Sequence, residues 1–165
     1  MTTNALQTII VERNDAGIVT VTLNRPEKKN AANNTMWNEM LATFREIGQS
    51  SADRCVVLTG AGGNYCSGGD VHEIIGELMS RDVKGLLAFT RMTGELITNM
   101  RLLEKPIISA VNGIAAGAGA VIALASDFRV FSTEASIAFI FQKVGLTAAD
   151  MGAVFLLPKV VGLAR

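Results

Sequence analysis

The sequence predicts an α/β fold, and two strand–loop–helix units carry that prediction. In the first, the apolar run Cys55–Thr59 gives way to a glycine-rich loop that ends at Ser67-Gly68-Gly69-Asp70. Asp70 followed three residues later by Glu73 has the pattern of a capping box, so a helix is expected immediately after Gly69. In the second, Ile107–Val111 behind Lys105-Pro106 reads as an interior parallel strand. Gly113, Gly117 and Gly119 follow, and then a helix of small apolar residues that starts near Gly117. Each unit aims the unpaired N–H groups of a helix start at a loop where backbone can closely approach a ligand, or another backbone.

The remaining elements fit the same class. Thr8–Glu12 and Ile18–Leu23 are β-rich, and Asn14-Asp15-Ala16-Gly17 between them suits a hairpin turn. Val19, Val21 and Leu23 alternate with Thr20 and Thr22, so one face is buried. The polar loop Asn24–Ala31 holds the cations Arg25, Lys28 and Lys29, either a solvated turn or a landing site for phosphate. Thr35–Gly48 carries Met36, Trp37, Met40, Leu41, Phe44 and Ile47 at helical spacing, with Asn34 as the expected cap and Trp37 as core. Asp82–Leu103 reads as a longer amphipathic helix. Asp127–Phe131 and Ser136–Phe141 are strand candidates, and Gly145–Gly152 leads into a last helix that Pro158 should end. The order β-β-α-β-α-α-β-α-β is that of an α/β domain.

Composition narrows the function. The 165 residues are 49% hydrophobic with formal net charge zero, which suits one globular domain and recommends neither nucleic acid nor an anionic membrane as partner. No apolar run is long enough for a membrane span, and Met1–Gln7 lacks the form of a secretory signal. Cys55 and Cys66 match no metal spacing, so reduced thiols and a cytoplasmic location are expected. The only histidine, His72, has no nucleophile placed for it and reads as surface or structural. A dinucleotide fingerprint fails because Ile122 and Tyr65 stand where the third glycine belongs, and a Walker loop fails because Asp70 follows Gly69. The two loops together suggest paired backbone donors converging on one oxygen, beside the alternative of tight helix–sheet packing with no ligand.

Asn24–Ala31, Tyr65–Asp70, and Lys105-Pro106 through Asn112-Gly113 to Gly117-Ala118-Gly119, in this order and spacing, resemble the crotonase (enoyl-CoA hydratase/isomerase) superfamily. The resemblance implies the ClpP/crotonase spiral of ββα units, with residues 1–165 as a single acyl-CoA-binding core that lacks most of the family's C-terminal helical part. It further implies an enzyme without a prosthetic group that takes a coenzyme A thioester as substrate, working as a homotrimer or dimer of trimers. The family's oxyanion hole of two backbone amides falls on Cys66 and Ala118. Arg25, Lys28, Lys29, Ala31, Ala32, Ser67, Gly68, Gly69, Asp70, Gly117, Val121 and Phe141 fall on its substrate-binding positions.

The departures from the pattern bear on the reaction. The two glutamates that position water in typical hydratases fall on Val121 and on Phe141, or on Gln142 with a one-residue shift. The usual Pro-Gly-x-Gly-Gly run reads Ala148-Ala149-Asp150-Met151-Gly152. Asp150 resembles the aspartate that dienoyl-CoA isomerases and aromatic-CoA dehalogenases use in this neighbourhood, and it is equally good chemistry for a helix N-cap. Three readings stay open: a hydratase or isomerase acting through a stabilised enolate, an isomerase, hydrolase or dehalogenase-type branch using Asp150, and a non-catalytic acyl-CoA-binding module.

Overall fold

The computed structural model describes residues 6–78, 80–147 and 149–164. The start of the leader reading, Met1–Ala5, and Ala148 of the altered run lie outside the described residues. Strands β1 (Ile9–Arg13), β2 (Ile18–Leu23), β3 (Cys55–Gly60), β4 (Ile107–Val111) and β6 (Phe128–Phe131) form a sheet in the order β1-β2-β3-β4-β6. β1 pairs antiparallel with β2 through the predicted turn, and the other pairs are parallel. A second, two-stranded parallel sheet joins β5 (Ile114–Ala116) to β7 (Ser136–Ala138). The helices are α1 (Asn34–Gln49), α2 (Gly76–Leu78), α3 (Val83–Leu102), α4 (Ala118–Ala125) and α5 (Ala153–Val161).

The sequence patterns account for most of this. β2 buries Val19, Val21 and Leu23 and leaves the threonines half-buried, as the alternation requires. α1 buries Met36, Trp37, Met40, Leu41, Phe44 and Ile47 in the same core cluster as those strand residues. At about 2 kcal/mol for each large apolar side chain fully removed from water, that stripe holds α1 on the sheet. The α1 cap is Asn33 rather than Asn34, its side chain accepting from the Met36 amide at 3.0 Å. Asp82 caps α3 by accepting from the Gly85 amide at 2.7 Å.

Three local expectations are corrected. β5 is a strand where the sequence predicts a glycine-rich turn, because Ile114–Ala116 pairs with β7 on one side and exchanges hydrogen bonds with Cys66 on the other. β7 stops at Ala138, short of Phe141. Pro158 lies inside α5 instead of ending it. The carbonyl four residues before it belongs to the exposed Val154, so water can replace the lost hydrogen bond.

The two strand–loop–helix units meet backbone to backbone. A Cβ on Gly119 would lie 2.2 Å from the Cys66 carbonyl oxygen, and one on Gly113 would lie 2.1 Å from that of Gly63. Gly94, in the middle of α3, has open space instead. Gly119→Ala is therefore expected to lower unfolding free energy by about 3 kcal/mol. Gly94→Ala should raise it by about 1 kcal/mol through helix propensity. Urea denaturation of the two variants checks the contrast.

Candidate functional site

Seven of the predicted site residues come together around one apolar cavity of about 100 Å³: Ser67, Gly68, Gly69, Gly117, Ala118, Phe141 and Asp150. Trp37 of α1, Phe89 and Thr93 of α3, and Met151 complete much of its wall. A second, larger cavity of about 780 Å³ runs between α3 and residues 145–156, and Asp150 and Met151 border both.

The loop that carries Gly68 and Gly69 is held by two isolated bridges. Cys66 pairs with Ala115 and Gly69 pairs with Ala32. Ala32 donates to the Gly68 carbonyl at 2.8 Å, and Asp70 donates to the Ala32 carbonyl at 2.9 Å. In extended chain, successive peptide groups point to opposite sides, so the Gly69 N–H faces away from Ala32. It has no protein acceptor among the described residues. Opposite it, Gly117 (φ 50°, ψ −118°) caps α4, and this left-handed backbone favours glycine. Ala118, the first residue of α4, has an N–H with no partner within its own helix. A Cβ on Gly68 would lie 3.2 Å from the Ala116 carbonyl oxygen and 3.8 Å from the Ala118 nitrogen, so the two turns touch.

The structure corrects Cys66 as a donor. Its amide already donates to the Ile114 carbonyl at 2.9 Å, and its thiol is fully buried with the pKa pushed up to about 11 by desolvation. Among the described residues the Gly68 and Gly69 amides of this loop have no protein acceptor, and that of Gly69 faces away from Ala32. Only the path of the chain against Ala32 and Ala115 distinguishes them from Cys66, and no local sequence signal carries that information.

Other expected binding residues are absorbed by structure. Arg25 donates to Asp70 at 3.0 Å, to Glu73 at 2.9 Å and to the Ala31 carbonyl at 2.6 Å, with its side chain only 12% exposed. Asp70 is buried and caps the π-turn Val71–Ile75, accepting from His72 at 3.0 Å and Glu73 at 3.2 Å. Burial pulls its carboxyl upward, but those amides and the Arg25 guanidinium outweigh it and hold the pKa below the usual carboxylate range. Ala31 and Ala32 are buried beside this knot, and Val121 is fully buried in α4; none of the three lines the cavity. Lys28 and Lys29 are exposed, and His72 is exposed as expected.

Asp150 is half-buried in a short 3-10 turn, Asp150–Gly152. Desolvation raises its pKa above the ordinary carboxylate value, offset in part by the Met151 amide. It does not cap α5: that helix starts at Ala153 behind Gly152, without a side-chain cap. Among the described residues lining the smaller cavity, it is the one ionisable side chain. Phe141 is buried in the wall while Gln142 is exposed, so the unshifted alignment faces the cavity. Trp37, expected as core, is both core and cavity wall.

Removing the Arg25 guanidinium would strand the buried Asp70 charge. Arg25→Gln is expected to cost about 3 kcal/mol at neutral pH. The stability that Asp70 contributes through its lowered pKa is present above the unfolded carboxylate value and is lost as pH falls through the folded one. The gap between variant and wild type should therefore narrow toward pH ~3, as denaturation at the two pH values would show.

Comparison with known proteins agrees on one family. The profile described as Enoyl-CoA hydratase/isomerase matches residues 13–165. The 1,2-epoxyphenylacetyl-CoA isomerase of Escherichia coli K12 is 35% identical over 156 residues, which are 94% of this chain and 59% of that protein. The mouse mitochondrial Delta(3,5)-Delta(2,4)-dienoyl-CoA isomerase is 34% identical over 152 residues, 88% of this chain and 46% of that protein. A solved Streptomyces coelicolor A3(2) protein, named as a candidate enoyl-CoA hydratase, superposes with TM-score 0.94 at 46% identity, covering 99% of this chain and 59% of that one. The chain thus spans about 59% of the length of the Escherichia coli relative and of the Streptomyces structure.

Proposed function

From the premise that the chain belongs to the enoyl-CoA hydratase/isomerase family, we propose that it serves an acyl-CoA isomerase that works through a stabilised enolate. The observation that carries this reading is the lone carboxylate of Asp150 on an apolar cavity that Gly69 and Ala118 also line. The thioester carbonyl oxygen would accept from both amides. Asp150 would take a proton from the acyl chain, leaving the electron pair delocalised onto that oxygen, and would return the proton to a different carbon. One carboxylate suffices for such a shuttle, and the apolar walls favour it over addition of activated water. Two positioned donors acting on a developing oxyanion supply the main electrostatic stabilisation, with each typically worth about a hundredfold or more in rate.

The exposed Lys28 and Lys29 support coenzyme A as the carrier. Ser67, at the cavity, donates through its amide to the Lys29 carbonyl at 3.0 Å and through its hydroxyl to the Lys28 carbonyl at 3.3 Å. Two exposed cations on the segment bonded to Ser67 would suit the phosphates of a coenzyme A thioester. We further take the working form to be a cytoplasmic homotrimer. Two free cysteines and exposed Phe128, Val130 and Phe131 on the edge strand β6 support that reading.

Asp150→Asn is expected to lower kcat at least a hundredfold while acyl-CoA affinity changes only a few-fold. The wild-type rate should fall as pH drops through the raised Asp150 pKa, above the usual carboxylate range. Stability should respond with the opposite sign. A carboxyl with a raised folded pKa loses stability as pH rises through that value, so the variant should melt higher than wild type at neutral pH and lose this advantage below the unfolded carboxylate value. Activity retained in Asp150→Asn would remove Asp150 as the base.

A further inference from the structure

The geometry points to Arg129 as a positioning residue that acts on the site through α4. Its charge cancels the negative pole of that helix, so that the positive pole acts undiminished on a thioester oxygen at Ala118. This rests on the acyl-CoA reading above and adds to it a residue that does not line the cavity. All eight residues of α4 are buried and none is charged. Its last four carbonyls, which a helix cannot satisfy internally, all accept from side chains. Ile122 accepts from the Ser126 hydroxyl at 3.2 Å, Ala123 and Leu124 from the Arg129 guanidinium at 3.2 and 3.3 Å, and Ala125 from Arg101 at 3.2 Å. Arg129 also donates to the Ser126 carbonyl at 2.6 Å, and it forms no ion pair among the described residues. Arg101, by contrast, is exposed and has the Asp127 carboxylate at 3.5 Å. The other end of the helix is left open. The amides of Ala118, Gly119 and Ala120 have no protein acceptor among the described residues, and Ala118 lies on the cavity. In a helix this short, about 12 Å for its eight residues, the negative pole weakens the field of the positive one. A cation bonded to the negative pole removes that cancellation. A unit charge about 12 Å away in a protein interior changes an ionisation about tenfold.

Acetoacetyl-CoA tests this, because its enolate absorbs in the near ultraviolet and forms more readily the more positive the field at the thioester oxygen. The ionised fraction of the bound ligand is followed by absorbance as pH is raised, in wild type, Arg129→Lys and Arg129→Gln. Arg129→Lys keeps the charge and loses the planar fork, whereas Arg129→Gln keeps donors and loses the charge. The bound ligand is expected to ionise as in wild type in Arg129→Lys and about tenfold less readily in Arg129→Gln. Unchanged ionisation in Arg129→Gln would overturn the assignment, as would an equal loss in both variants, which marks a purely structural cap. Asp127→Asn gives the opposite sign. It removes the anion at this end of α4, keeps an acceptor for the Ile107 amide now bonded at 2.9 Å, and should make ionisation about twofold easier. If Arg129→Gln does not fold, that change decides alone, and its absence overturns the proposal. If acetoacetyl-CoA does not bind the wild-type protein, the acyl-CoA reading falls and this inference with it.

Discussion

The contact on which the rest depends is the meeting of two backbones, where the loop Cys66–Asp70 lies against the start of α4. Gly119 brings α4 onto the Cys66 carbonyl, and Gly68 lies against the peptide groups of Ala116–Ala118. The bridges to Ala32 and Ala115 then fix the direction of every peptide in the loop. Side chains could not set two amides beside one cavity this closely, because a Cβ at Gly119 has no room. The two amides are therefore placed by main-chain packing, without mobile groups that would have to be ordered.

The polar knot around Asp70 serves that contact from outside. Arg25 ties Asp70, Glu73 and the Ala31 carbonyl together, while Asn30 donates to the Ala61 and Asn64 carbonyls at 2.9 and 2.7 Å. Asn30 is fully buried with φ 55°, a conformation asparagine tolerates better than most residues. The conspicuous polar stretch Asn24–Ala31 is thus largely a brace for the loop Cys66–Asp70, with Pro26, Glu27, Lys28 and Lys29 exposed to water. On the other side of the cavity the order is reversed. Asp150 stands half-buried without a cation partner among the described residues, and Met151 beside it holds φ 52°, a strained value for that residue. Packing of Leu156, Ala153 and Met151 into the core holds this turn in place.

The fold was largely legible because it depends on periodicity and punctuation. The valine–threonine alternation of β2, the apolar stripe of α1 and the capping pattern at Asp70 each name their element directly. β5 was not legible, since Ile114–Ala116 is three residues long and owes its strand character to partners distant in sequence. The candidate site divides along the same line. Gly117, Ala118 and Asp150 do line the cavity: the helix start at Gly117 is a local signal, while Ala118 and Asp150 are singled out through the family resemblance. Cys66 is expected as a donor and is not free, because which amides of the loop stay free is decided by hydrogen bonds to Ile114, Lys29 and Ala32. Arg25 likewise looks like any loop cation until the fold brings Asp70 and Glu73 to it.

The central claim is that the amides of Gly69 and Ala118 hold the thioester oxygen. The most direct measurement is the backbone amide spectrum of the protein titrated with an unreactive acyl-CoA thioester. The account predicts that the Gly69 and Ala118 amide protons move downfield together as the oxygen binds, while that of Cys66, already bonded to Ile114, stays in place. Movement of Cys66 with Gly69 unmoved would contradict it.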